Sequence, residues 1–425
     1  MTDLSQWFER CVEIDPAGGA PGAAEGALAT VPEKPAVYLL ATADDAPILL
    51  ASGLAVRSIL RRRLGEPLSD EPETRDKSTP PEELSVESSL TKIEPAKNDS
   101  QSSGTAVLGL GGPSHAPPRL SRRADLRPLV RKLYLHVTFS PFETDLWYLW
   151  LARRVFPDRC QRMIRPRHCW MIHGDPADSF PRLTVTDRFV PPTGRRFGPI
   201  SRRQGATKLI ELLTGLFGLC HYYQVLRQSP HGRPCEYREM GRCSGVCDGS
   251  VSMEAYRGQV AEALNFLADR GAAWRTSQAE AMKAAAGRLD FEQAGRIKDR
   301  LARAGELRHA DFDRLAEISR TDWLIVQPGA TIKELRTWRG LAGRIVPGPT
   351  LDRRDPAAGL ARWAELTPPP NDPVLHGEEA GLLADYLFRG QRDRGLFVDA
   401  VGQLVAQLTE AVTQAWPIKP QRRKP

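Results

Sequence analysis

The sequence predicts a mixed α/β (α+β) protein, because short strand-like apolar runs are separated by longer segments with helical periodicity. PAVYLLA at 35–41 and KLYLHVTFS at 132–140 are rich in the β-branched, aromatic and leucine residues that buried strands contain. The second strand-like run is followed by SPFETDLWYLWLARRVF at 140–156. This segment has Pro141 near its start and Pro157 just after its end, which is typical of a bounded helix. Strand-like runs return at 318–350. A chain of 425 residues has room for two to four domains.

Composition divides the chain into regions. Residues 65–127 contain no Phe, Trp or Tyr and are dense in Pro, Ser, Glu and Gly. Such a segment cannot bury enough apolar surface to offset its ordering entropy, so we predict a disordered insert. The other predicted regions are an α/β domain split by the insert (1–64 and 128–190), a four-cysteine metal module (191–250), a helical region (251–310), an α/β region (311–416) and a basic tail (417–425).

The charge of the chain favours a polyanionic partner such as DNA. The formal net charge is +7, and residues 188–250 hold ten Lys or Arg against four Asp or Glu. No base-reading motif is visible, so binding through these residues should be salt-sensitive and depend little on sequence. The alternative is an ordinary solvated face. The candidate phosphate-binding residues are Arg195, Arg196, Arg202, Arg203 and Lys208.

Two further features predict a cytoplasmic protein without a membrane partner. No apolar run approaches the roughly 20 residues needed to cross a bilayer, and the N-terminus has no basic segment followed by an apolar one. In the cytoplasm cysteines stay reduced, which favours metal binding over disulfides.

The cysteines are concentrated in one short segment. Cys220, Cys235, Cys243 and Cys247 follow a C-x14-C-x7-C-x3-C spacing within 28 residues. Four thiolates so close together can hold a tetrahedral zinc ion or a four-iron cluster. Structural zinc sites usually have two short knuckles, whereas only the last pair here has knuckle-like spacing.

Three blocks in order resemble the UvrC family, the nuclease subunit of bacterial nucleotide excision repair. RRFGPI at 195–200 is similar to the FGP block of that family, and the cysteines match its R-P-C…G-R-C-x-x-x-C pattern. The segment EAMKAAAGRLDFEQAGRIKDRL at 280–301 resembles its helical UVR module. The resemblance implies a [4Fe–4S] cluster on the four cysteines, with zinc as the alternative. It also implies docking of the UVR-like hairpin onto a UvrB-like helicase.

The residues that would carry this docking lie in the second half of the hairpin. The break near Gly287–Asp290 predicts two helices, and the match to the UVR core F-E-x-A-A-R-x-R-D is in register except at Gly295 and Lys298. The alternative is a plain helical pair that packs only on its own protein. The matching residues are Phe291, Glu292, Ala294, Arg296 and Asp299.

The N-terminal region resembles the GIY-YIG nuclease domain of the family in a degenerate form. The first strand keeps Tyr38, but the second tyrosine motif appears as Leu49-Leu50-Ala51. The arginine of the family falls at Ile59 and its metal-binding glutamate at Tyr148. Phosphodiester cleavage needs a metal on hard oxygen ligands and a cation on the developing charge, so these replacements predict loss of turnover.

A shifted register would restore part of that site. In the shifted register Tyr38 remains the catalytic tyrosine and Arg57 takes the place of the family's arginine. Glu143 or Asp145 takes the place of the glutamate that binds Mg²⁺. The UvrC family continues into an RNase H-like nuclease and helix-hairpin-helix repeats. DYLFRGQRDRGLFVD at 385–399 resembles the segment just before that nuclease core, and the sequence stops soon after. We therefore expect a truncated, divergent UvrC-like chain.

Three functions follow as hypotheses. The first is a nuclease-inactive repair accessory that binds DNA and a UvrB-like helicase. The second is an active excinuclease that makes a metal-dependent single-strand incision from a relocated N-terminal site. The third is a metal- or redox-sensing adaptor.

Overall fold

Three antiparallel sheets, each covered by helices, organise the described part of the chain. The computed structural model describes residues 4–14, 23–64, 126–189, 193–305, 310–367, 372–389 and 395–417. Apart from residues 126–127 and 417, the predicted disordered insert and the predicted basic tail lie outside these ranges.

The N-terminal sheet has the strand order β1-β4-β2-β3. Its strands are β1 (Arg10–Glu13), β2 (Ala36–Ala41), β3 (Pro47–Gly53) and β4 (Lys132–Val137), and its helices are α1 (Ala23–Ala29), α2 (Val56–Leu64), α3 (Pro141–Val155) and α4 (Cys160–Met163). Helix α3 begins where the sequence predicts, because Ser140 caps it by accepting from the Glu143 amide and Pro141 occupies its first turn.

The two faces of this sheet carry different helices. Successive side chains of a strand point to opposite faces. Tyr38 and Leu40 therefore join the core beneath α1 and α2, whereas Val37 and Leu39 pack in the core that contains α3. Residues from α3 and residues from α2 are consequently separated by the sheet.

The middle sheet, in the order β6-β5-β7-β8, supports the cysteine segment and the hairpin. Helices α5 and α8 pack on its strands, and α9 and α10 form an antiparallel pair. The elements are β5 (Trp170–Gly174), β6 (Thr184–Thr186), β7 (Arg195–Ile200), α5 (Arg203–Phe217), α6 (Tyr223–Leu226), α7 (Glu236–Glu239), α8 (Met253–Ala268), α9 (Ala272–Gly287), α10 (Phe291–Gly305), α11 (Ala310–Asp313) and β8 (Ala316–Glu317).

The third sheet has the order β11-β10-β9-β13, with β12 paired to β10. Helix α13 packs on one face together with Phe142 and Leu146 of α3, and α12 and α14 cover the other face. The elements are β9 (Asp322–Pro328), β10 (Glu334–Leu341), β11 (Arg344–Pro347), β12 (Leu351–Asp352), α12 (Ala357–Ala364), α13 (Pro373–Phe388), β13 (Leu396–Asp399) and α14 (Val405–Ala415).

This arrangement confirms the mixed α/β class. The helical pair breaks between Gly287 and Phe291, close to the break that the sequence predicts. Within the described ranges, no helix combines the length and apolar character needed to cross a membrane.

Candidate metal centre, docking hairpin and nuclease residues

The cysteine segment folds back onto the end of α5. That helix ends at Gly218, which adopts a left-handed conformation with φ of 62°. The Ser244 amide then donates to the Gly218 carbonyl over 2.9 Å, and the Gly232 amide donates to the Cys247 carbonyl over 2.8 Å. These bonds return the later cysteines to the neighbourhood of Cys220.

The four thiols share one electrostatic neighbourhood. Burial raises the pKa of Cys220 to about 11, and the other three cysteines add to the shift. Burial also raises the thiol pKa of Cys243 and Cys247. Four cysteines in one loop are the donor set of a four-thiolate site. Among the described residues, however, no group of three His, Cys, Asp or Glu side chains is placed so that it could hold a metal ion.

Arg238 joins two parts of the cysteine loop through hydrogen bonds. Arg238 donates from Nε to Asp248 Oδ2 over 3.1 Å and from Nη2 to Ser250 Oγ over 2.8 Å. Hydrogen bonds from Ser250, together with the Arg238 guanidinium, lower the pKa of Asp248 to about 2. His221 stacks on Tyr237 with ring centroids 3.8 Å apart, so its imidazole packs against another residue of the loop.

The helical hairpin presents an apolar tip. Leu289 has a left-handed φ of 62° in the turn, and Asp290 caps α10 by accepting from the Gln293 amide over 3.0 Å. Leu289 and Phe291 expose 74% and 67% of their surface. Large apolar side chains this exposed are typical of an interaction site when they lie together.

The base of the hairpin is fixed to α5. Arg300 donates from Nη2 to the Leu216 carbonyl over 3.1 Å, and its guanidinium lies 5.5 Å from the Trp274 ring centroid. Ile297 and Ala304 are buried in this base. Of the predicted docking residues, Ala294 is half-buried and Phe291, Glu292, Arg296 and Asp299 are exposed.

The candidate nuclease residues do not meet. Tyr38 is buried beneath α2, and this burial raises its pKa overall, although the adjacent Arg63 guanidinium opposes the shift. Arg57 instead donates to the Val31 carbonyl over 2.5 Å and lies 3.9 Å from Glu33.

Glu143 lies on α3, on the other side of the sheet from Tyr38. It is fully buried, and its Oε1 atom is 3.1 Å from Arg336 Nε of β10. Burial raises the pKa of Glu143 to about 7, against the opposing charge of Arg336. Sequence reasoning missed both Arg63 and Arg336, because neither lies in a recognisable motif.

The remaining α3 candidates are engaged elsewhere. Asp145 accepts from Arg167 Nη2 over 2.5 Å and from the Tyr386 hydroxyl over 2.9 Å. Tyr148 is half-buried in the α3 core, and burial raises its pKa.

The five candidate phosphate-binding residues fall into two groups. Arg195 donates to Glu317 Oε2 and Asn265 Oδ1, and Arg196 is half-buried with its pKa lowered by burial. Arg202, Arg203 and Lys208 are exposed at the start of α5. This second group is the part available to a polyanion.

The comparisons with known proteins place the middle sheet and cysteine segment in a recognised class. Residues 169–266 match the UvrC/Cho excinuclease, middle domain. The chain is 34% identical over 145 residues to the UvrABC system protein C of Moorella thermoacetica, which covers 34% of this chain and 23% of that relative. It is 33% identical over 246 residues to the protein of the same name from Desulforudis audaxviator, covering 51% and 37%.

These matches show that parts of the chain, its middle region above all, are similar to proteins of the UvrC family. The chain spans between about a fifth and two fifths of the length of the curated relatives it matches. No solved structure gives a significant match.

Proposed function

We propose that this protein is a nucleotide excision repair accessory that docks on a UvrB-like helicase and on DNA without incising it. The observation that carries the proposal is the exposed tip of Leu289 and Phe291 on a hairpin whose base is anchored to the UvrC-type middle domain. The relatives' name, UvrABC system protein C, supports the repair context.

The hairpin suits a partner that offers a similar apolar pair. Phe291 and Leu289 form the apolar contact, and the exposed Glu292–Arg296 pair lies beside it. Aromatic residues anchor interfaces, and a mixed-charge rim contributes mainly to orientation and specificity. A helical hairpin with complementary charges can therefore pair with another of the same kind.

The absence of incision follows from the separation of the candidate catalytic groups. Tyr38 and Glu143 lie on opposite faces of the N-terminal sheet, and Glu143 is paired with Arg336. A carboxylate that is buried and paired is a poor Mg²⁺ ligand, because the metal would have to displace the arginine. DNA contact is assigned to the exposed Arg202, Arg203 and Lys208.

We further propose that Cys220, Cys235, Cys243 and Cys247 hold a [4Fe–4S] cluster, with zinc as the competing metal. The hydrogen bonds from Ser244 to Gly218 and from Gly232 to Cys247, which fold the cysteine loop back on itself, support a shared site. When bound, the group would cross-link the loop and hold it against the end of α5.

The decisive experiment is an incision and retention assay on damaged duplex DNA. Full-length protein is purified without oxygen and mixed with a UvrB-like helicase, ATP and Mg²⁺. We expect no nicking and clear retention on the helicase–DNA complex. Phe291→Ala should lower retention at least tenfold, whereas Leu404→Ala, at a site 70% exposed and outside the hairpin, should leave it unchanged.

Two outcomes would replace the proposal. Nicking that is lost in Tyr38→Phe or Glu143→Gln would establish the active excinuclease. The metal- or redox-sensing adaptor would be established by a different result. The protein would neither nick DNA nor be retained on the helicase–DNA complex, and oxidation of its metal site would change its binding to another protein.

The metal is identified by elemental analysis of the same preparation. We expect about four iron and four acid-labile sulfide per chain, with the visible absorption of an iron–sulfur cluster. Cys243→Ser should lose the metal, and Cys11→Ser, an exposed cysteine outside the loop, should keep it. One zinc per chain without visible absorption would identify the zinc alternative.

A further inference from the structure

A cleft outside the cysteine loop and the hairpin lies where the 165–168 segment, β5, the start of α5 and the end of α13 meet. It encloses about 550 Å³. Arg165, Arg167, Arg202 and Arg389 line it, against Asp385 as the acidic residue of the lining. The cleft is therefore a concave site rich in arginine, within the size range of ligand pockets.

Two of the arginines are held in place by hydrogen bonds to Asp385. Arg167 donates from Nε to Asp385 Oδ2 over 3.0 Å, and Arg389 donates from Nη2 to the same oxygen over 2.6 Å. Arg167 also donates to Asp145 of α3. Arg167 is therefore paired with both Asp385 and Asp145, so the net positive charge of the cleft comes mainly from the other arginines.

The other two arginines are unengaged. Arg165 and Arg202 are exposed, and within the described ranges neither forms an ion pair. Arg202 is also the N-cap of α5, a helix of 15 residues, and no side chain caps that end. Free amides at a helix N-terminus bind anions, so they reinforce the arginines at this point of the cleft.

An aromatic stack forms another wall. The rings of His168 and Trp170 are stacked with centroids 5.2 Å apart and planes 23° from parallel. His168 is the exposed member, and Asp187 holds it through Nδ1 over 2.7 Å. A half-exposed, oriented ring beside phosphate-binding arginines is the arrangement that stacks a nucleic-acid base.

We propose that this cleft binds a single strand of nucleic acid, with phosphates on Arg165, Arg202 and the start of α5 and a base on the His168–Trp170 stack. A duplex keeps its bases stacked on one another, so it cannot offer a base to the aromatic wall without opening. The proposal deepens the DNA binding of the proposed function, because it names the strand form and adds a site. Binding should depend little on base identity, since stacking accepts any base.

The first test measures the fluorescence anisotropy of a labelled thymidine oligonucleotide of about 12 nucleotides, a length within the usual range for such sites. Full-length protein is titrated at several salt concentrations, with the same sequence as a duplex for comparison. We expect tighter binding of the single strand. The double variant Arg165→Glu, Arg202→Glu should bind it at least about tenfold more weakly and with a smaller salt dependence.

The matched control carries the same change of charge elsewhere. Arg354 and Arg362 are exposed, belong to the turn before α12 and to α12, and take no part in the cleft. The double variant Arg354→Glu, Arg362→Glu should change the affinity less than about twofold, because screening limits the effect of distant charges. Equal losses in the two double variants would overturn the proposal, as would tighter binding of the duplex.

The stacking wall has its own test. His168→Ala should weaken binding of the thymidine strand about fivefold or more, and an oligonucleotide with abasic sites should bind the wild-type and His168→Ala proteins equally. Identical affinities of the wild-type protein for the abasic and thymidine strands would overturn the assignment of a base to this wall.

Failure here is distinguishable from failure of the proposed function. Helicase retention depends on Phe291 and is measured in the absence of DNA on the wild-type protein and on the Arg165→Glu, Arg202→Glu variant, which should keep it. Retention of the wild-type protein without any binding of the single strand would overturn this inference alone. Strand binding without retention would overturn the helicase docking and leave the cleft in place.

Discussion

Glu143 Oε1 lies 3.1 Å from Arg336 Nε, and this ion pair joins the first turn of α3 to strand β10 of another sheet. The second carboxylate oxygen accepts from the Phe139 amide over 2.8 Å. Nearby, His136 is buried against Trp147, with ring centroids 3.8 Å apart and planes tilted by 36°, and burial lowers its pKa to about 4. The ionisable groups around the start of α3 therefore lie at the junction between the two sheets.

The Glu143 carboxyl should leave a signature in the pH dependence of stability. Its folded pKa of about 7 lies above the ordinary value of 4.5, so between these values the folded state holds a proton that the unfolded chain has released. Its contribution to the free energy of unfolding is full below about pH 4.5 and falls as pH rises through about 7. Between about pH 5 and pH 8, this carboxyl should lower the free energy of unfolding of the wild-type protein by about 2 to 3 kcal/mol. Glu143→Gln has no such carboxyl, so its free energy of unfolding should fall by that much less over the same range.

Urea denaturation at several pH values measures this difference. His136 works in the opposite direction, since its lowered pKa makes stability rise between about pH 4 and 6.5, and both proteins share that contribution. The exposed Glu410→Gln is the control and should follow the wild-type curve. Parallel curves for Glu143→Gln and wild type would contradict the assignment.

A buried ion pair holds α13 on the third sheet. Glu379 accepts from Arg344 Nε over 2.7 Å, from the Ile345 amide over 3.0 Å and from Trp150 Nε1 over 2.8 Å. Glu379→Leu removes the carboxylate from a buried guanidinium and should lower the free energy of unfolding by about 3 to 5 kcal/mol. Adding Arg344→Leu should recover much of that loss, because an apolar residue then replaces a buried guanidinium that has lost the Glu379 carboxylate. A double variant less stable than the single one would refute this account.

Two glycines of the cysteine loop provide a matched pair. Gly245 and Gly241 have φ values of 81° and 65°, so alanine is strained at both positions. A Cβ at Gly241 would meet nothing within 4 Å, whereas at Gly245 it would strike the Arg238 side chain. Gly245→Ala should therefore be less stable than Gly241→Ala, because it displaces the arginine from Asp248. Equal thermal stabilities of the two variants would be inconsistent with this role of Arg238.

The hairpin should separate residues that stabilise the protein from residues that face a partner. Phe291→Ala should change the free energy of unfolding by less than about 0.5 kcal/mol, because the side chain is 67% exposed. Ile297→Ala, in the same helix but 8% exposed, should cost about 2 to 5 kcal/mol. Denaturation of the two variants in parallel measures this contrast, and a large loss for Phe291→Ala would show that the tip is part of the core.

Local features of the chain were predictable from the sequence. The bounds of α3 follow from Ser140 and the prolines at 141 and 157, and the break before α10 follows from the interrupted apolar pattern. The four cysteines lie within 28 residues, so a short loop brings them together. In each case the determining interactions connect residues close in the chain, which pattern and spacing can describe.

The sequence by itself therefore determined the mixed α/β class, the clustered cysteines and the helical hairpin with its break near residue 287. Only the tertiary structure decided that Glu143 faces Arg336 and that Tyr38 faces Arg63 on the other side of the sheet. It alone also assembled the arginine cleft from 165–168, 201–202 and 385–389. The physical reason is that burial and charge pairing depend on how distant segments pack, and no local pattern encodes which of them will meet.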